Sequence, residues 1–136
     1  MITGIEVLKF GVEDKAEAIK FLSDFGLSKQ TTDIEDTELF QTQNGSKIYL
    51  FDIADSRLPA AIENGSTLRE VTWGVDNDQD LIQFAENLKD VEGFVQSATQ
   101  VQCRDPNGMT IVFQHSITKD VPEQKTEAVS YTHLTL

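Results

Sequence analysis

Cysteine is nearly absent from this 136-residue sequence. With Cys103 alone, no intrachain disulfide can form and no cysteine cluster can hold a metal. That usage fits a reducing compartment, and the expected location is cytoplasmic. Histidine is almost as scarce. The two present, His115 and His133, are too far apart in the chain to form a metal-spaced pair, and neither is expected to act in catalysis. Basic residues are few: 11 Lys and Arg stand against 23 Asp and Glu, a formal net charge of -12. Such a surface repels phosphate backbones and anionic bilayers, so neither nucleic acid nor membrane is an expected partner. No run approaches the roughly 20 apolar residues of a membrane span, and the opening MITGIEVLKF lacks the basic-then-apolar pattern of an export signal. GxGxxG, a Walker loop and a nucleophile elbow are all missing, which removes the common phosphate and acyl-transfer chemistries. The acidic run Asp33-Ile34-Glu35-Asp36 lacks the spaced oxygens and glycine of a calcium loop and reads as a solvated turn.

What is present is an ordinary globular balance, 39% hydrophobic and 25% charged, in a chain long enough to bury a core unaided. The sequence also repeats itself at a constant offset of 63 residues. Gly11-Val12 returns as Gly74-Val75, Ile19 and Phe21 as Ile82 and Phe84, and Asn44-Gly45 before Ile48 as Asn107-Gly108 before Ile111. Each half opens with period-two alternation, Leu8, Phe10, Val12 and then Val71, Trp73, Val75, which predicts strands. Capping signals follow at Asp14 with Glu17 and at Asn77 with Asp80. The helices they open carry the stripes Ala18, Phe21, Leu22, Phe25 and Leu81, Phe84, Ala85, Leu88. Gly26 ends the first helix, and Gly93 follows the second by a few residues. An Asn-Gly hairpin then joins two strands in each half. The expected class is α+β, with a βαβββ unit used twice. Residues 1–115 are expected to form one domain of repeats 2–52 and 67–115 around a linker, 53–66. Residues 116–128 read as a linker or tail. Residues 129–136 are similar to the translated adapter sequence that ends some truncated gene models and are expected to be non-native.

GIEVLKFGVED leading into AIKFLSDFGL, REVTWGVDNDQDL, and RDPNGMTIVFQ together resemble the vicinal oxygen chelate superfamily of glyoxalase I, bleomycin resistance proteins and extradiol dioxygenases. The resemblance covers residues 3–115. It implies a cup-shaped mixed sheet with helices packed outside and a divalent metal within. By strand parity, Lys9, Tyr49, Glu70, Thr72, Gln102 and Arg104 would line the cup as ligand-pocket candidates, beside Val7, Gly11, Val112 and Gln114. Trp73 and Cys103 would face the core. The family's metal-ligand positions match Val7, Glu70 and Val112, and an alternative using Tyr49 with Glu70 also lacks ligands, so no metal or other cofactor is expected in this chain. Glu70 is expected to pair with Lys9 or Arg104.

Two functions follow as expectations. The first is the metal-free, non-catalytic N-terminal half of an extradiol ring-cleavage dioxygenase-like enzyme, whose Fe(II) or Mn(II) would sit in a C-terminal half. The second is a complete metal-free small-molecule-binding protein of the bleomycin-resistance type. Expected partners are a small-molecule ligand, with either a second copy of the chain or a C-terminal domain packed against it.

Overall fold

A computed structural model describes residues 1–117. The elements run β1 (Ile2–Val12), α1 (Lys15–Phe25), β2 (Ser28–Gln30), β3 (Glu38–Gln41), β4 (Lys47–Asp52), β5 (Thr67–Val75), α2 (Asp78–Leu88), β6 (Val95–Gln96), β7 (Gln100–Arg104) and β8 (Thr110–His115). All eight strands join one mixed sheet in the order β2-β3-β4-β1-β5-β8-β7-β6. This is the expected α+β class and the twofold βαβββ arrangement. The first strand of each half pairs in parallel with the last strand of the same half, Val7 opposite Lys47 and Glu70 opposite Thr110, a register that repeats at the offset of 63. β1 and β5 run antiparallel along the seam between the halves. Of the tail expected over 116–128, only Ser116 and Ile117 are described; the suspect ending, 129–136, lies outside the described residues.

Local chemistry explains the repeat. Asp14 accepts from the Glu17 amide at 3.1 Å and Asn77 from the Asp80 amide at 2.8 Å, so each helix starts on a side-chain cap. The Asn-Gly turns close identically, by Thr42 N to Ser46 O and Asp105 N to Met109 O, both at 2.9 Å. On the convex face α1 covers Val12, Phe40 and Leu50 through Ala18, Ile19 and Leu22, while α2 covers Val75 and Val101 through Leu81 and Ala85.

The first helix departs from its expected stripe. Phe21 and Phe25 point outward, stacked on each other at 6.0 Å, and Ile19 packs inward instead. The ring pair satisfies the same i, i+4 spacing that predicted burial, one position round the helix. Trp73 also departs from expectation. It is half-buried and outside every core cluster, because each helix covers its own half and leaves the β1–β5 seam thinly covered; Ile5, opposite Trp73, is 40% exposed. Trp73→Ala should therefore cost roughly 2 kcal/mol in a urea melt, about half the loss at a fully buried ring. A loss of core size would place Trp73 inside.

Three register shifts interrupt the β1–β5 seam, and two of them carry a charge. Pairing skips Glu6 on β1 and Arg69 on β5, positions 63 residues apart. Each side chain turns onto the concave face and lies over the glycine of the neighbouring strand. A Cβ on Gly74 would stand 2.7 Å from Glu6 Oε1, and one on Gly11 would stand 3.2 Å from Arg69 Nη2. Arg69 donates to the carbonyls of Pro59 at 2.7 Å and Ile53 at 2.9 Å, and the Glu6 carboxylate accepts the Ile117 amide. The cation holds carbonyls and the anion holds an amide. In both halves, the chain that leaves the last strand is thereby tied back across the seam.

Candidate functional site

The concave face divides into a filled half and an open half. Beside β4, Leu39, Tyr49, Phe51 and Leu58 form an apolar cluster with Val7 and Ile34 packed against it. The repeat places Gln102, Val112 and Gln114 where the first half has Leu39, Tyr49 and Phe51, so the corresponding face of the second half stays open and polar. The remaining cup has a volume of about 400 Å³.

Its floor is a single ladder of paired residues: Lys47, Val7, Thr72, Val112 and Gln102 lie side by side across β4, β1, β5, β8 and β7. In the next rung Lys9 faces Glu70 directly, and Lys9 Nζ lies 3.1 Å from Glu70 Oε2. The pairing expected for Glu70 is thus made by Lys9. On the far wall Gln100 Nε2 donates to Gln114 Oε1 at 3.0 Å. On the near wall the Tyr49 hydroxyl donates to Asp33 Oδ1 at 2.5 Å. That bond holds the Asp33 carboxyl below the usual range, while burial, reinforced by Asp33, pushes the Tyr49 phenol above its ordinary value. Tyr49→Phe should return the Asp33 carboxyl to the ordinary carboxylate range, followed by its NMR titration. Because the folded-state pKa is lowered, Asp33's contribution to stability is present above the ordinary carboxylate range and is lost as pH falls through the lowered value. The acid limb of the stability curve should therefore flatten in the variant. An unchanged Asp33 titration would show that Tyr49 does not hold it.

Five of the six expected pocket residues, Lys9, Tyr49, Glu70, Thr72 and Gln102, come together in the cup. Arg104 does not. β7 ends there, and the Arg104 side chain instead reaches Glu92, with Nη1 3.2 Å from Oε1, beside a different cavity on the convex side. Parity places a side chain only while the strand continues. Asp33, Ile34, Lys47, Gln100 and Ile117 also line the cup without having been expected there. Gln100 shares the parity of Gln102 and could have been read from it. Asp33 and Ile34 come from the acidic turn, which folds over the cup rather than standing free, and no local pattern announces that.

The donor set does not fit a divalent metal. Val7 and Val112 offer only methyl groups, Glu70 is engaged by Lys9, and Tyr49 is held as a neutral phenol. Among the described residues no group of three His, Cys, Asp or Glu is placed to hold an ion. Cys103 is buried, and burial raises its thiol pKa, which makes it a poor nucleophile. His115 lies exposed at the end of β8, with Nε2 3.2 Å from the Asp76 carbonyl.

No family model and no curated protein matches the sequence. Solved structures do match. A catechol 2,3-dioxygenase superposes with a TM-score of 0.65 at 16% identity, over 87% of this chain and 41% of that one. The Mn(II)-bound glyoxalase from Novosphingobium aromaticivorans gives 0.64 at 13%, over 91% and 42%. A glyoxalase/bleomycin resistance protein/dioxygenase superfamily member from Vibrio splendidus 12B01 gives 0.52 at 16%, over 89% of this chain and all of that one. The chain has the vicinal oxygen chelate fold. It spans about two fifths of the length of the dioxygenase and the glyoxalase. Within this fold, the concave face just described is where the cup lies, and the helices are outside it. No helix among the described residues is long and apolar enough to cross a membrane.

Proposed function

We propose that this chain is a metal-free module of the vicinal oxygen chelate fold, serving as the non-catalytic N-terminal half of an extradiol ring-cleavage dioxygenase-like protein. The observation that carries the reading is the ladder Val7–Thr72–Val112: valine side chains stand at two of the three family ligand positions, and at the third Glu70 is bound to Lys9. A carboxylate whose charge is met by an ammonium 3.1 Å away has little left to give a cation. The higher TM-scores with the dioxygenase and the glyoxalase, of which the chain spans about two fifths, support a modular role. A second reading, a complete metal-free small-molecule-binding protein, is favoured by the superposition over the full length of the Vibrio splendidus protein and by a cup that retains space and polar lining.

The test is direct. Purified protein offered Fe(II) or Mn(II) and then catechol should show no ring cleavage, and cleavage by this chain alone would overturn the proposal. Restoring donors should restore affinity. Val7→His with Val112→Glu and Lys9→Met frees Glu70 and completes a three-ligand set, so zinc affinity should rise at least ~10-fold over wild type. No rise would show that these positions do not converge as the ladder implies. The two readings part at the genomic frame beyond Thr126: a second pair of βαβββ units with His, His and Glu at the ligand positions supports the modular reading, and an early stop supports the binding protein.

A further inference from the structure

The largest cavity among those described, about 680 Å³, lies outside the cup, on the convex face beside the end of α2. Leu88 and Val91 form one wall, Ile111 and Phe113 the other, and Cys103 is part of the lining. The repeat gives its wall a counterpart in the first half. Cys103 stands opposite Ile111 on β8 as Phe40 stands opposite Ile48 on β4, 63 residues earlier. In the first half the Phe40 ring fills the space under α1 and is 0% exposed. In the second half a thiol occupies the same framework position and forms part of the wall of the open cavity.

We propose that this cavity is a binding site for a small neutral aromatic molecule, separate from the cup. The first half shows the chemistry that such a space takes, a six-membered aromatic ring packed between helix and sheet. The rim argues against an anionic ligand, and the apolar walls favour an uncharged one. Arg104 is already paired with Glu92, and the Asp105 carboxylate receives the amides of Asn107 and Met109, so no unpaired cation of the rim calls for an anion. A chain of net charge -12 further disfavours one. The volume lies within the range of small-molecule pockets. The sheet separates the two sites: Ile111 and Phe113 face this cavity, while Val112 and Gln114, between and beyond them, face the cup.

Indole serves as the probe. At a concentration tenfold above its Kd, indole should raise the melting temperature of the wild-type protein by about 4 °C. Cys103→Phe should remove that shift by supplying the ring from the protein, and should itself melt higher than wild type. Gln102→Ala, on the opposite face, should keep the shift. If the phenylalanine variant does not fold, Val91→Trp closes the cavity from its exposed wall and should remove the shift equally. N-ethylmaleimide labelling of Cys103, the only thiol, should slow severalfold when indole is present. No shift in the wild type, a shift retained in a folded cavity-filling variant, or a shift lost in Gln102→Ala would each overturn the proposal.

Discussion

Phe40→Ala should destabilise the protein by about 3–5 kcal/mol, whereas Cys103→Ala, the same truncation at the repeat-related position, should cost about 1 kcal/mol or less. Phe40 is wholly buried among Val12 and Leu50, with Ala18, Leu22 and Leu27 packed over that cluster, so removing the ring leaves a void that α1 cannot close without losing its own contacts. Cys103 already borders a cavity, so little packing is lost when its sulfur goes. Urea melts of both variants measure the asymmetry. Equal losses would mean that the two halves are packed alike and that the space beside Cys103 closes in solution.

Arg69→Met should cost about 2–4 kcal/mol. Arg69 is 8% exposed and its guanidinium holds the carbonyls of Ile53 and Pro59, so the methionine keeps the apolar stem and removes both charge-assisted bonds. The damage should be local as well as global. Residues 53–66 lose their tie to the seam, and trypsin should cut after Arg57 much faster in the variant than in wild type. Leu58 packs in the concave cluster next to that bond, so release of the linker would also loosen the filled half of the cup. Unchanged cleavage at Arg57 with an unchanged melt would show that Arg69 does not anchor the linker.

Much of this architecture was legible in the residues. The offset of 63 found the two units, because the cap, the Asn-Gly turn and the apolar alternation are local signals that recur together. Parity placed Lys9, Tyr49, Glu70, Thr72 and Gln102 in the cup, because regular strands alternate sides by geometry alone. The misses have equally physical origins. Glu6 and Arg69 sit on bulges, where alternation fails, and a charged residue amid strand apolars at matching repeat positions was the available clue. Arg104 lies where β7 ends and parity no longer applies. Trp73 has the apolar parity of a core residue, yet its burial depends on what covers the seam, a tertiary fact. Asp33 reaches the cup through a turn closed by Thr32 and Thr37, and there it meets the Tyr49 hydroxyl.

The filling of one concave half and the opening of the other has the same kind of origin. Gln102 and Gln114 stand where the first half has Leu39 and Phe51, so an apolar plug in one half is matched by a polar wall in the other. The repeat gives a symmetric frame, and differences between its halves accompany two different cavities, a polar one in the cup and an apolar one beside the end of α2.

Val7 and Val112 lack donors and Lys9 occupies Glu70, so the cup is expected to leave divalent ions unbound. Equilibrium dialysis of the purified protein against Mn(II), Fe(II) and Zn(II), followed by elemental analysis, tests it most directly. Well under one ion per chain should be retained for every metal, whereas one tightly retained ion per chain, lost in Glu70→Gln, would make the cup a metal site.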